Sequence, residues 1–498
     1  MPRAAAWEVR AASAAVPADL AVEDRSEKQE GNMKTGKFFI AILLSLVLIL
    51  ASCAADAGSS TGTSDVPSNQ GGPGSGSRPD NPGGGPGGQP GGGPGGSSSS
   101  VVYAGAKEIT SATSESSQTY SSSKADESAL LISTSEAVTI TDPTVTKSGD
   151  SDGGDNCNFY GQNAAVLVKG GSTTTITGGT INTEAKGANG VFSYGGNGGK
   201  NGAAGDGTKV IITDTVITTT GSGSGGIMTT GGGITEAHNL TVTTSGQSSA
   251  AIRTDRGGGT VTVDEGTYTS NGLGSPAIYS TADITVENAT LVSNLSEGVC
   301  IEGKNSITLV NCDLTANNTK CNGNAKFLDT IMIYQSMSGD SATGTATFTM
   351  TGGTLTSKNG HVFHVTNTNA VINLNNVTIV NEDDAGILLS VCDDGWSGAS
   401  NIATVNASGQ TLAGTILVGS NSTLTLNLKD DSSFTGTFSG TIKNASGATV
   451  STSVGTVNVT IESGSTWTLT ADTYITSFTN NGTLNKNGHT LYVNGVAQ

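Results

Sequence analysis

A short segment recurs along the chain at a nearly regular interval, and this repeat limits the possible folds more than any other feature. The nine copies begin at Ile140, Ile176, Ile212, Ala237, Val263, Val286, Leu309, Met350 and Leu374. Successive starts are 36, 36, 25, 26, 23, 23, 41 and 24 residues apart, so the underlying period is about 23–26. Evident insertions account for the three long intervals. One repeat this short cannot bury its own apolar face, so we expect the repeats to stack.

Each repeat contains two or three short strands. A second apolar segment, such as AAIRTD, PAIYST or GVCIEG, precedes each recurring copy, and Gly, Asn or Asp separates the strands. The apolar residues alternate, which is typical of strands. Leucine-rich repeats need an asparagine-centred leucine motif that is missing, and propeller blades are about twice as long. The period therefore predicts an all-β parallel β-helix solenoid of about 12 coils.

Composition supports this fold and excludes some functions. Of 498 residues, 72 are Gly, 13% are charged, and the formal charge is −18. So few large apolar residues argue against a helical bundle. The acidic balance argues against nucleic acid as a partner, because no basic surface is available for phosphates.

The first 100 residues are expected to direct and tether the protein. Residues 33–53 read MKTGKFFIAILLSLVLILASC, a secretory signal whose last four residues resemble the lipobox of bacterial lipoproteins. This resemblance implies cleavage before Cys53 and a lipid on its sulfur; an uncleaved anchor is the alternative. The Gly/Pro/Ser-rich stretch that follows predicts a disordered tether. The predicted segments are an upstream extension (1–32), the signal peptide (33–52) and the lipidated Cys with its linker (53–100).

Over residues 125–445, the repeat is similar to right-handed parallel β-helix proteins of the pectate-lyase-like class, in particular adhesin-like surface lipoproteins of bacteria. The resemblance implies a right-handed β-helix, which we expect over 101–414. The C-terminal stretch departs from the repeat pattern and carries more Trp, Tyr and Phe, so we expect the last coils and a β cap over 415–498. The resemblance also implies an extracellular, membrane-anchored protein that binds polysaccharide or surface glycan without catalysis. We expect a monomer that reaches the membrane through its lipid anchor only.

An extracellular polysaccharide lyase or glycoside hydrolase acting on acidic glycans is the first alternative, and a structural surface spacer is the second. A pectin-hydrolase-like site combines Asn-x-Asp, Asp-Asp and Gly-His-Gly on consecutive coils. The chain has Asn311-Cys312-Asp313 and several Asp-Asp pairs, but it has no Gly-His-Gly. Asp-Asp pairs are common in turns, so no catalytic residue is assigned.

The segment AAIRTDRGGG is the most singular cluster, because Arg253 and Arg256 are the only arginines after the linker. Asp255 lies between them. One interpretation is a structural ion pair that holds the Gly257–Gly259 turn. The other is a contact for an anionic sugar or a lyase site.

Strand alternation extends this cluster into a column. Aligning Ile227, Ile252, Ile278, Ile301 and Ile333 as an inward ladder turns the next residues outward. The predicted outward column is Met228, Arg253, Tyr279, Glu302 and Tyr334, with His364 as its continuation. Aromatic and charged groups on a flat face suit sugar binding. A solvated face without function is the alternative.

Two further predictions concern metal and thiols. Asp150, Asp152 and Asp155 alternate as oxygen ligands of calcium do, although an exposed insertion is the simpler interpretation. No cofactor is otherwise expected. With Cys53 lipidated, five cysteines remain, and Cys312 with Cys321 is the favoured pair among them.

Overall fold

The computed structural model of the protein describes residues 101–152, 154–394, 396 and 400–498. The predicted upstream extension, signal peptide, Cys53 and linker lie outside the described residues. None of the helices in the described ranges is long and apolar enough to cross a membrane.

The described part of the chain consists mainly of short strands. In chain order its elements are β1 (Ala104–Ile109), β2 (Thr113–Ser116), β3 (Thr119–Ser122), β4 (Glu127–Ser133), β5 (Val138–Thr141), β6 (Thr144–Lys147), α1 (Asp155–Tyr160), β7 (Val166–Lys169), β8 (Thr173–Thr177), β9 (Thr180–Thr183), β10 (Val191–Tyr194), β11 (Lys209–Thr213), β12 (Val216–Thr219), β13 (Ile227–Thr230), β14 (Gly233–Thr244), β15 (Ile252–Thr254), β16 (Gly259–Ser270), β17 (Ile278–Ser280), β18 (Asp283–Glu287), β19 (Thr290–Ser293), β20 (Val299–Glu302) and β21 (Ser306–Val310). The second half continues with β22 (Asp313–Ala316), β23 (Asp329–Tyr334), β24 (Thr345–Thr351), β25 (Thr354–Ser357), β26 (His361–Thr366), β27 (Asn369–Asn375), β28 (Thr378–Asn381), β29 (Ile387–Val391), β30 (Asn401–Ser408), β31 (Thr411–Val418), β32 (Ser422–Lys429), β33 (Ser433–Ser439), β34 (Thr441–Lys443), β35 (Thr449–Thr452), β36 (Thr456–Ile461), β37 (Thr466–Leu469), β38 (Thr473–Ile475), β39 (Ser477–Asn480), β40 (Thr483–Asn485), β41 (Leu491–Val493) and β42 (Val496–Ala497).

These strands form two large parallel sheets that wind around a common core. The first sheet has 15 strands in the order β1-β4-β7-β10-β13-β15-β17-β20-β23-β26-β29-β31-β33-β37-β40. The second has 22 strands in two adjoining rows, which the long strands β14 and β16 span. Each coil places one strand in the first sheet and one or two in the second. The prediction of an all-β parallel β-helix is therefore confirmed.

The number of coils also agrees with the prediction. The first sheet has 12 strands up to β31, and β33, β37 and β40 extend it by three within the C-terminal stretch. A separate three-stranded sheet of β38, β41 and β42 follows at this end. The C-terminal residues thus continue the stack before a different sheet ends it.

The recurring segments align with one another in space as they do in sequence. The nine residues that begin the copies are direct partners on neighbouring strands of the second sheet, from Ile140 and Ile176 to Met350 and Leu374. All nine are buried in a continuous apolar core that runs from Ile109 to Leu491. The spacing of the repeat therefore determines the register of the stack.

A left-handed backbone position marks the corner between the two rows of the second sheet. On each of ten successive coils the residue at this corner has φ between 48° and 69°. These residues are Ser117, Asp142, Gly178, Asp214, Asn239, Glu265, Asn288, Asn311, Gly352 and Asn376. Gly, Asn and Asp adopt this conformation at the lowest cost, which explains why most of the repeats carry them there. Ser117 and Glu265 are the exceptions.

Inserted segments cover the outer face of the first sheet. Helix α1 is capped at its C-terminal end by Gly161, which has φ 76°. Its last residue, Tyr160, packs edge-on against Tyr194, with 5.8 Å between ring centroids. Further along, Phe327 packs against His364 at 4.7 Å. Two of the three predicted insertions therefore return across this sheet and cover outward side chains.

Candidate functional site

The predicted column follows the structure for three coils and then departs from it. Ile227, Ile252 and Ile278 are direct partners as expected. Ile278 pairs with Val299, which pairs with Ile331 in turn. The predicted alignment of Ile301 and Ile333 with Ile278 was therefore wrong by two residues. A shift of two preserves the side of the sheet, which leaves Glu302 and Tyr334 on the same face as Arg253 and Tyr279.

The exposure predicted for this column was also wrong. The relative exposure of Arg253 is 2%, of Tyr279 3%, of Glu302 1%, and of Tyr334 and His364 0%. The reason is the cover provided by the inserted segments, whose return across the first sheet could not be inferred from strand alternation. A sugar could not reach these side chains with the cover in place.

Five of the predicted residues nevertheless come together, and we call them the polar cluster: Arg253, Asp255, Tyr279, Glu302 and Tyr334. Arg253 Nη2 donates to Asp255 Oδ2 at 2.6 Å, and its guanidinium carbon lies 5.6 Å from the centre of the Tyr279 ring. The hydroxyls of Tyr279 and Tyr334 donate to Glu302 Oε2 at 2.5 and 3.0 Å. The sequence thus identified the members of a continuous buried network.

Burial raises the pKa of both carboxyl groups in the polar cluster. The pKa of Asp255 rises to about 6, because burial outweighs the attraction of Arg253. The pKa of Glu302 rises to about 7 for the same reason, although hydrogen bonds from Ser336 and Tyr279 oppose the rise. Burial, reinforced by the nearby Glu302 carboxyl, also raises the pKa of the Tyr279 hydroxyl well above its usual value. Shifts of this kind are frequent in functional sites and in buried structural networks.

Arg256 borders the polar cluster and connects the inserted segments. Its Nε and Nη2 donate to Asp340 Oδ1 at 2.9 and 2.5 Å, and its guanidinium lies 4.1 Å from the centre of the Phe159 ring. Its side chain is 25% exposed, in contrast to that of Arg253. Arg256 is therefore the more accessible of the two arginines.

His364 belongs to a different environment. Its Nδ1 lies 2.7 Å from Ser390 Oγ, and its Nε2 lies 3.6 Å from Asp394 Oδ2. Beside it, Glu297 and Asp329 are buried, and burial raises the pKa of both carboxyl groups. Sequence reasoning missed this acidic pair. A signal was available, because Glu297 and Asp329 each stand two positions before Val299 and Ile331, which are direct partners on neighbouring strands.

Two of the three aspartates predicted to bind calcium accept hydrogen bonds from backbone amides. Asp150 Oδ1 accepts a hydrogen bond from the amide of Lys186 at 2.8 Å, and Asp152 Oδ1 accepts one from the amide of Gly154 at 2.9 Å. Asp155 begins α1. Over the described ranges, no group of three or more His, Cys, Asp or Glu side chains is arranged to hold a metal ion.

The predicted disulfide is not formed. Cys312 is a buried thiol in the apolar core, with its Sγ 3.3 Å from the carbonyl of Val286, whereas Cys321 lies in an inserted loop with its Sγ 3.4 Å from the carbonyl of Phe327. The side chain of Cys312 points into the core, so it cannot form a disulfide with Cys321 in the inserted loop.

An open cleft lies beside the Arg253–Arg256 segment. Its volume is about 510 Å³, and its walls come from the inserted Asn201–Gly205 stretch, the Gly257–Thr260 turn, and the turns of the next two coils. Asp283 and the exposed Lys304 contribute charged groups, and Ala342 closes one side. This cleft was not anticipated from the sequence, because it depends on how an insertion folds over neighbouring coils.

No protein-family model, curated protein or solved structure matches the chain.

Proposed function

We propose that this protein is an adhesin-like surface protein that binds polysaccharide or surface glycan without catalysis. In this proposal it is exported, held on the extracellular side of a bacterial membrane by a lipid on Cys53, and displayed as a pectate-lyase-like β-helix. The observation that carries the proposal is the open cleft of about 510 Å³ beside the Arg253–Arg256 segment. Its volume falls in the range of roughly 300–1,000 Å³ that is usual for ligand clefts.

The chemistry of the cleft favours binding over hydrolysis. Of the described residues that line it, Asp283 alone carries a carboxylate, and this group already accepts a hydrogen bond from Ser306 at 2.6 Å. Glycoside hydrolysis generally uses a pair of carboxyl groups on one surface. Backbone groups of the glycine turns and the exposed Lys304 amine suit the many hydroxyls of a sugar.

A binding panel tests this proposal with the full chain in detergent. Immobilised neutral and acidic polysaccharides should retain the protein without release of unsaturated or reducing ends. Ala204→Trp, which fills the cleft, and Lys304→Gln, which removes its amine, should weaken retention. Ala385→Trp, at an exposed alanine outside the cleft, is the matched control.

Each other outcome contradicts a part of the proposal. Product release would favour a lyase or hydrolase, and failure to bind any polysaccharide would favour a structural spacer. Equal retention of the Ala204→Trp and Ala385→Trp variants would reject the cleft as the site.

A further inference from the structure

The loop of residues 335–342 directs a carboxylate at Arg256 and two hydroxyls at Glu302. Asp340 Oδ1 accepts two hydrogen bonds from Arg256. The Ser336 hydroxyl donates to Glu302 Oε1, and Ser338 Oγ lies 3.4 Å from the same oxygen. The loop therefore supplies hydrogen-bond partners to both the accessible Arg256 and the buried Glu302.

A carboxylate flanked by hydroxyls is also the functional-group pattern of an acidic sugar. Guanidinium groups bind carboxylates strongly, and carboxylates accept hydrogen bonds from hydroxyls. We propose that the 335–342 loop is an internal competitor, and that a carboxylate-bearing sugar displaces it to bind at Arg256 and Glu302. This inference rests on the proposed function and adds to it the class of sugar and a means of regulation.

The contacts of the loop are suited to such an exchange. Its two ends are fixed, since Asn367 Nδ2 donates to the carbonyl of Gln335 at 2.6 Å and the amide of Lys304 donates to the carbonyl of Ala342 at 2.7 Å. Its tip, by contrast, is held by polar contacts that a ligand could replace. At the tip, Gly339 has φ 77° and open space around its α-carbon, and Met337 is 41% exposed.

The cleft gives an approach to this position. Ala342 at the end of the loop forms part of its wall, and Gly257, which directly follows Arg256, forms another. The Asn201 side chain connects the Gly257 turn to the tip of the loop. Its Oδ1 accepts a hydrogen bond from the amide of Gly257 at 3.0 Å, and its Nδ2 donates to the carbonyl of Gly339 at 3.2 Å. A chain of sugars in the cleft would therefore meet the loop at its tip.

Charge balance also favours the exchange. The carboxyl groups of Asp340, Asp155 and Asp255 all attract the Arg256 guanidinium and raise its pKa, and Asp340 has the strongest effect of the three. A sugar carboxylate that replaces Asp340 leaves the charge around Arg256 unchanged. The overall charge of −18 otherwise repels acidic ligands. An acidic ligand therefore gains the most favourable binding free energy at Arg256.

Asp340→Asn tests the proposal, because it keeps the size of the side chain and removes its charge. The probes are alginate, a polymer of uronic acids, and polysialic acid, which carries its carboxylate on a different sugar. The full-length variant should bind one of them roughly tenfold or more tightly than the wild type, since the competing state is weakened. The polymer that gains identifies the sugar that the site accepts, and Arg256→Gln should remove the gain.

Asp384→Asn is the control, because it removes the same charge from an exposed position. Equal gains for Asp340→Asn and Asp384→Asn, or a gain that survives Arg256→Gln, would overturn the inference. Binding of a neutral glucan by the wild type with no gain for either acidic polymer would reject the inference alone. Failure of all the proteins to bind any polysaccharide would reject the proposed function with it.

Hydrogen exchange provides a second measurement on the wild type, which does not depend on the folding of a variant. Saturation with the acidic polymer should speed exchange of the backbone amides of residues 336–341, because the loop is released. Unchanged or slower exchange there would contradict displacement.

Discussion

Glu302 shows how a single buried carboxyl group can make stability depend on pH. Its oxygens accept hydrogen bonds from the hydroxyls of Tyr279, Tyr334 and Ser336, while burial raises its pKa to about 7. The folded protein therefore holds a proton on Glu302 at pH values where the unfolded chain has lost it. This contribution to stability is fully present below the ordinary carboxyl pKa and is lost as pH rises through about 7.

Replacing Glu302 by Gln should remove this dependence. Relative to Glu302→Gln, the wild type should lose roughly 2–3 kcal/mol of unfolding free energy between about pH 5 and pH 8. Denaturant titrations of both proteins across this range measure the difference. Comparing the two proteins is necessary because His361, with its pKa lowered to about 3 by burial, acts in the opposite direction below about pH 6.5.

A constant difference between the two proteins across this range would show that Glu302 is ionised in the folded state. Asp255, whose pKa rises to about 6, remains in both proteins, so only the part of its titration that responds to the charge of Glu302 enters the comparison.

The strands and corners of each coil were the most predictable part of the molecule. The recurring segments predicted the core positions because apolar alternation and stacking require the same spacing, and the pairing of Val286 with Leu309 is an example. The members of the polar cluster were predictable for the same reason, since a two-residue error in register preserves the face. Their burial was not, because it depends on long-range packing of inserted loops, such as Phe327 against His364.

The corner between the two rows of the second sheet offers a test of the repeat. Glu265 has φ 62° at an exposed position where neighbouring coils carry Asn239 and Asn288. A left-handed conformation costs an ordinary L-residue roughly 1–2 kcal/mol, and Asn tolerates it better. We therefore expect Glu265→Asn to raise the unfolding free energy by about 1 kcal/mol, measured by denaturant titration.

Glu287→Asn is the matched control, because Glu287 is exposed at a regular strand position of the next coil. It should give no gain, since Asn is unfavourable in strands. Equal effects of the two substitutions would mean that the corner conformation is not the source of the stabilisation.

The stack as a whole has one continuous core and two ends. At the C-terminal end the sheet of β38, β41 and β42 buries Leu491 fully and leaves Ile475 5% exposed. An uncovered end presents apolar side chains and unpaired strand edges, which promote association. The C-terminal sheet is thus expected to keep the molecules apart.

Truncation after Asn485 tests this role by removing β41 and β42. The truncated protein should associate in a concentration-dependent way, as measured by light scattering, whereas the intact chain should remain a monomer. Val496→Lys, at a position that is 64% exposed in the same sheet, should behave as the intact chain does. A truncated protein that stays monomeric would show that the end of the stack needs no cover.

The direction of the hydrogen bonds between coils has a mechanical consequence. Each strand pairs with the coil before it and the coil after it, so these bonds point along the stack while the strands lie across it. Tension between the two ends would act on the hydrogen bonds of one coil before those of the next, so the stack would open one coil at a time. Each opened coil of about 23 residues would release roughly 75 Å of chain. In the proposed surface role, the protein would lengthen in steps under a pulling force and protect its attachments from sudden load.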